Sequence, residues 1–265
     1  MRSVALALLL VAARPAAATA QAAAEDLVRA GDSAFAALDP AGALAHFQAA
    51  LALDSAYETL WKATRAIADV AKQIDAHDSK AEAQRRDAMY VQGRAYAEAA
   101  VRKNPEGADG HFVLAMVIGR LSRTKGSKER VKFAKVIFDE ATRAVELSAD
   151  HDGALHVLGA WHAEVKRLSG VQRFFAKTLF GGGFMSVASW DKAVENLERA
   201  VAVKPDHVYH RLELAEVYVD LDLYSKAKEL LQTIPPLPIG DVLDARYKQE
   251  AAALLQKIQD KKDKS

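Results

Sequence analysis

Between Asp152 and Tyr218 two helical hairpins can be read almost residue by residue, and they restrict the chain to a narrow set of folds. Leu155, Leu158, Gly159 and His162 are followed by Ala193, Leu197, Ala200 and Pro205, then by Leu214, Ala215 and Tyr218. This alternation sets a small residue where two helices approach closely and a large one in the gap beside it. A hairpin built this way cannot bury its apolar face alone, so it has to recur along the chain.

It does recur. The second-helix pattern small-x3-large-x2-Ala-x4-Pro appears first as Ala43, Phe47, Ala50 and Ser55, after a helix holding Leu27 and Gly31. Asp39-Pro40 makes the turn between these two helices, with Asp39 as N-cap and Pro40 at the first helical position. A second copy runs from Trp61 to Gly93, Ala97, Ala100 and Pro105, a third from His111 and Leu114-Ala115 to Ile137, Ala141, Ala144 and Ala149, and a fifth from Arg211 to Ala227, Leu231 and Ile234. Equivalent small residues are 50, 44, 56 and 34 positions apart. The last interval is that of the tetratricopeptide repeat, and the others exceed it. The expected fold is therefore all-α, a right-handed superhelical array of helical hairpins, a tetratricopeptide-like solenoid with insertions. Pro235-Pro236-Leu237-Pro238 ends the last hairpin, and Val242 to Lys257 reads as a C-terminal capping helix.

The first twenty residues have a different character. Arg2 supplies a basic start, Val4 to Ala13 an apolar run of ten residues, and Ala18-Thr19-Ala20 a small-residue cleavage site. This is the pattern of a secretory signal peptide, and the run is shorter than the roughly 20 residues a spanning helix needs. The expected organisation is a signal peptide over residues 1–20, a helical repeat domain over 21–260 and a solvated tail over 261–265. An exported protein follows, periplasmic in a Gram-negative cell. The chain has no cysteine and a net charge of +1, so neither a disulfide framework nor a global pull toward nucleic acid is expected.

Several segments carry a family resemblance. Trp61-Lys62-Ala63-Thr64-Arg65-Ala66 resembles the W-R-x-A-R-A element of the regulator of microtubule dynamics family. Leu158 to Val165, followed by Leu168-Ser169, is similar to its L-G-R-W-x-x-x-V-A-x-L-S segment, with Ala160 in place of the arginine. Leu179-Phe180-Gly181 resembles its L-F-G-x-P-P turn, with Gly182-Gly183 in place of the prolines. Ala193 to Pro205 resembles its A-x-x-x-F-x-x-A-x-x-x-x-P helix, with Leu197 in place of the phenylalanine. The resemblance implies a tetratricopeptide-like domain acting as an adaptor, and with the signal-peptide pattern the chain reads as a bacterial, exported relative. It also implies a lipid-handling role in part of the family. The microtubule association of eukaryotic members does not suit an exported bacterial protein.

In a stacked array the fifth and ninth positions of each first helix line the concave side. Lys62, Phe112, Met116, His156 and Leu212 are the candidate groove residues, because an apolar groove with a few polar anchors accepts a peptide helix or an acyl chain. Tight winding, with these side chains packed on one another, is the alternative. The insertion from Val171 to Ser189 holds Phe174, Phe175, Phe180, Phe184 and Met185 beside Arg173 and Lys177. Such a segment suits a membrane surface or a lid, with Gly181-Gly182-Gly183 as hinge, and equally a helix tucked back onto the array. Between Arg120 and Lys135 seven basic residues face one acid, Glu129. Arg123, Lys125, Lys128 and Arg130 are the candidate anion contact, for a phosphate-bearing partner such as a lipid headgroup, or else a solvated loop around Gly126.

Nothing in the pattern calls for catalysis, a metal or a cofactor. His207 and His210 are three apart and His156 and His162 six apart, but no acid completes an H-E-x-x-H arrangement. The glycine triplet lacks the Lys-Ser/Thr of a phosphate loop. The expected function is a non-catalytic adaptor that binds a protein or peptide in its concave groove; a phospholipid-binding module is the alternative, and nucleic acid is not an expected partner.

Overall fold

The computed structural model describes residues 3–75 and 78–263, without the side chains of residues 3–18, Phe175, Leu179 and Phe180. Among the described residues there are twelve α-helices, one short 3-10 helix and no strand. They gather into two units, Met1–Pro105 and Glu106–Ser265. No helix of the described residues is long and apolar enough to cross a membrane.

The first unit holds α1 (Ser3–Ala36), α2 (Pro40–Leu53), α3 (Tyr57–Lys72) and α4 (Lys80–Lys103), paired as two hairpins. Asp39 caps α2, its carboxylate accepting the Gly42 N–H at 2.9 Å, with Pro40 at the position where a missing N–H is harmless. Phe47 is 1% exposed, and a Cβ on Gly31 would lie 2.5 Å from its ring. The glycine is thus the small residue that lets α1 close on α2. In the second hairpin the hydroxyl of Thr64 reaches the carbonyl oxygen of Gly93 at 3.4 Å, which places α3 against α4 at its small residue. The longer spacing here goes into α4, which is 24 residues long.

The second unit repeats the arrangement three times. α5 (Ala108–Ser122) pairs with α6 (Ser127–Leu147), α7 (Asp152–Arg167) with α9 (Trp190–Val203), and α10 (Val208–Asp220) with α11 (Tyr224–Gln232); α12 (Asp244–Lys257) packs over α10 and α11. A Cβ on Gly159 would stand 2.7 Å from Leu197 Cγ and 3.1 Å from the Ala193 carbonyl oxygen. That crossing explains why the repeat pattern sets glycine beside Leu158. Ala193, Leu197, Ala200, Ala215 and Ala227 are all fully buried. The capping helix begins at Asp244 rather than Val242, because the Asp244 carboxylate accepts the N–H groups of Gly240 and Asp241 at 2.8 Å and holds Val242 and Leu243 in a turn.

Two segments whose reading was open from the sequence take definite forms. The insertion after α7 forms α8 (Gly170–Phe180) and a 3-10 turn (Gly182–Val187), and both pack against α6. A capping box between Ser169 and Gln172 starts α8, and Gly181 ends it in the left-handed conformation at φ 73°. A Cβ on Gly182 would meet the Ala176 carbonyl oxygen at 2.8 Å, so the triplet forms a tight closure onto α8. In the basic run only residues 123–126 connect two helices. Lys128, Arg130, Lys132 and Lys135 lie in α6, so the loop reading holds for Arg123 and Lys125 alone.

Candidate functional site

α5, α7 and α10 are the first helices of successive hairpins and lie side by side in the second unit. Along α10, Tyr209, Glu213, Glu216 and Asp220 recur at intervals of four, three and four residues, which puts them on one face. Arg167 of α7 reaches into this stripe, donating from Nε to Asp220 at 2.7 Å and from Nη1 to Glu164 at 2.8 Å and Glu213 at 3.3 Å. Burial works against its charge, but these carboxylates outweigh it and raise the Arg167 pKa further. The Tyr209 hydroxyl donates to Glu213 at 3.3 Å, and its ring stacks on Tyr247 of α12 at 4.5 Å.

Electrostatics on this face are unbalanced. Burial and the neighbouring Glu213 carboxylate push Glu216 up to about 7, with Arg167 opposing them. Burial, with Glu213 adding to it, also raises the Tyr209 phenol well above its ordinary value, while Arg120 of α5 and Arg123 just beyond its end act in the other direction. The Arg167 guanidinium is shared among Glu164, Glu213 and Asp220 and also acts on Glu216, so carboxyl groups outnumber the cation that reaches into them.

Beside it lies a buried polar chain. Asp152 accepts from His210 Nε2 at 3.0 Å, and His210 Nδ1 meets His156 Nδ1 at 3.1 Å. Burial would raise the Asp152 carboxyl, but the bond and charge of His210 overcome it and hold the group well below the usual carboxylate range. Burial drives His156 far below an ordinary imidazole, and His207, stacked on His210 at 3.9 Å, down to about 3. A neutral His156 sharing one proton with His210 Nδ1 ties α7 to α10 without adding a second buried imidazolium. Among the described residues no group of three or more His, Cys, Asp or Glu is placed to hold a metal ion.

The candidate residues named from the sequence scatter. Lys62 lies in the first unit and bridges Asp32 at 2.7 Å and Glu58 at 2.6 Å. Burial opposes its charge, yet these carboxylates raise its pKa. Phe112 and Met116 are half-buried on α5, with the Phe112 ring 4.7 Å from His151. Leu212 is corrected: at 1% exposure it is part of the core, because its side chain points between α10 and its neighbours. His156 is buried in the polar chain, and its partner is His210, 54 residues away, not His162. His162 instead packs edge-on to Phe138 and Trp161. Phe174 stands exposed, Phe184 and Met185 are half-buried, and Phe175 and Phe180 lie outside the described side chains. Glu216 stands at the ninth position of its first helix, one of the positions that line the concave side, but sequence reasoning missed Arg167, Tyr209 and Glu213, although the spacing along α10 is a signal that could have found the last two.

Comparison with known proteins places this architecture. The model of the regulator of microtubule dynamics proteins 1–3 matches residues 23–259. The chain belongs to that family. It is 28% identical over 205 residues to regulator of microtubule dynamics protein 1 of Bos taurus, covering 77% of this chain and 62% of the relative. To protein 3 of Rattus norvegicus it is 25% identical over 205 residues, covering 77% and 42%. The chain thus spans between two fifths and two thirds of these relatives' lengths. A thermophilic TPR protein of Thermus thermophilus superposes with a TM-score of 0.61 at 18% identity, over 87% of this chain and 100% of that one, which establishes the helical-repeat fold. Two of the family-like segments meet in the structure, Gly159 from one packing under Leu197 from the other.

Proposed function

We propose that this chain is a binding module whose second unit takes a peptide segment of a protein partner along α5, α7 and α10, with a Lys or Arg of that segment seated against Glu213 and Glu216. The observation that carries this reading is the α10 stripe of Tyr209, Glu213, Glu216 and Asp220, with Arg167 as its bridging cation. A helix face devoted to packing would place aliphatic groups at these positions. Here a phenol and three carboxylates lie close together, Glu213 buried, Glu216 half-buried and Asp220 exposed, where an added positive charge is worth more than in water. Half-buried Phe112 and Met116 offer apolar contact on α5, and such a mixture of apolar surface with few polar anchors is what peptide grooves present. The microtubule-related activity in the relatives' names belongs to longer proteins, and the partner here is defined by its chemistry.

Site-specific photocrosslinking tests this. A photoreactive residue replacing Met116 is expected to capture a discrete partner, while the same probe at exposed Ala202 on α9 is not. Glu213→Lys/Glu216→Lys should remove the product at position 116. Equal capture at both positions, or products indifferent to the charge reversal, would reject the reading.

A further inference from the structure

We propose that the N-terminal half of α6, together with α8, forms a cationic face set with apolar side chains that seats on an anionic bilayer surface. The first three turns of α6 carry Lys128, Arg130, Lys132 and Lys135 against one acid, Glu129. The N-terminal end of a helix carries the positive pole of its macrodipole and favours anions, so Lys128 and Arg130 in the first turn oppose the helix they stand on. Lys128, Lys132 and Lys135 recur at i, i+4 and i+7 and therefore share one flank. Lys128, Arg130 and Lys132 are exposed, and Lys135, at the inner end of the flank, also pairs with Asp139 one turn on.

The insertion lies against the same helix. Lys135 stands 6.0 Å from the centre of the Phe184 ring, so the lysine flank borders the segment formed by α8 and the 3-10 turn. α8 turns Ala176 inward and leaves Val171 and Phe174 outward, 66% and 62% exposed, with Val187 of the turn at 53%. Lys177 is exposed between them. An acidic polypeptide would satisfy the lysines and leave these apolar groups in water. An anionic bilayer takes both, its headgroups pairing with the Lys and Arg side chains while Phe174 and the two valines enter the acyl boundary. The two signals together make a usable attachment where each alone is weak.

Co-sedimentation of the full chain with vesicles tests this, comparing phosphatidylcholine alone with phosphatidylcholine containing phosphatidylglycerol at low and high salt. Binding is expected to be at least about tenfold stronger on the anionic vesicles and to weaken at high salt. Lys128→Glu/Lys132→Glu should lower it by about tenfold or more. Phe174→Ser should lower it severalfold with the salt dependence retained, and thermal melts of each variant separate lost binding from lost folding. Equal binding to neutral vesicles, no binding to anionic ones, or indifference to the charge reversal would overturn the proposal. So would binding to poly-glutamate that is as tight as to anionic vesicles and unaffected by Phe174→Ser, which would reassign the face to an acidic protein.

Discussion

Glu216 is a carboxylate that the fold keeps at a cost. Its pKa rises from 4.5 in the unfolded chain to about 7 in the folded one. Below 4.5 both states hold the proton and nothing is lost. Between 4.5 and 7 the unfolded chain ionises first, so stability falls as pH rises, and above 7 the full cost is present. The interval sets a ceiling of about 3 kcal/mol, and with the side chain only half-buried roughly 1–2 kcal/mol is expected. Glu216→Gln should therefore be more stable than the parent by about that amount at pH 8 and by less than half of it at pH 5, measured by urea unfolding. An equal gain at both pH values would place the effect in packing instead of ionisation. The carboxylate is tolerated at a site that a cationic partner would relieve, which is the link between this residue's energetics and its proposed role.

The helix pair α7 and α9 crosses closely at Gly159. Gly159 has no room for a methyl group, since the nearest atoms include the backbone carbonyl of Ala193 at 3.1 Å as well as the movable Leu197 side chain at 2.7 Å. Alanine is the better helix former by about 1 kcal/mol, yet here overpacking wins over propensity. Gly159→Ala is expected to lower stability by about 1–3 kcal/mol, read as a shift in the chemical denaturation midpoint. A neutral or stabilising result would mean that α9 slides away from α7 at little cost. On α6 the same scale decides differently: its basic first turns are helical although their charges disfavour that end of a helix, because the buried Val131 and the Trp161 N–H bond to the Ala134 carbonyl at 2.8 Å fasten the segment to α7.

The division at Pro105 matters most for the molecule as a whole. Every side chain of the candidate face, from Phe112 to Tyr247, falls in the second unit. Repeat arrays gain stability from each hairpin and its nearest neighbours, so a run of three hairpins with a terminal cap can stand on its own. A fragment of residues 106–265 is expected to give a helical circular dichroism spectrum and a cooperative thermal transition. A fragment without a transition would make the second unit dependent on the first.

Much of this architecture was legible in short-range pattern. The small and large residues Ala43, Phe47, Ala193 and Leu197 are buried where their spacing requires, and Asp39-Pro40 caps its helix as its chemistry demands. These features depend on periods of three to seven residues, which a linear chain displays directly. The site was not legible in the same way. His156 meets His210 across 54 residues, and Arg167 meets Asp220 across 53, while Leu212 is buried among apolar side chains and Glu213, one position on, is buried against Arg167. Which face of α10 turns inward depends on how α7, α10 and α12 pack, and the shifted pKa values depend on the desolvation that packing creates. The hairpins, their caps and their small-residue crossings follow from local pattern and could be written down before any coordinate. Which charges share a desolvated face follows from contacts between residues far apart in the chain, and packing alone brings those together.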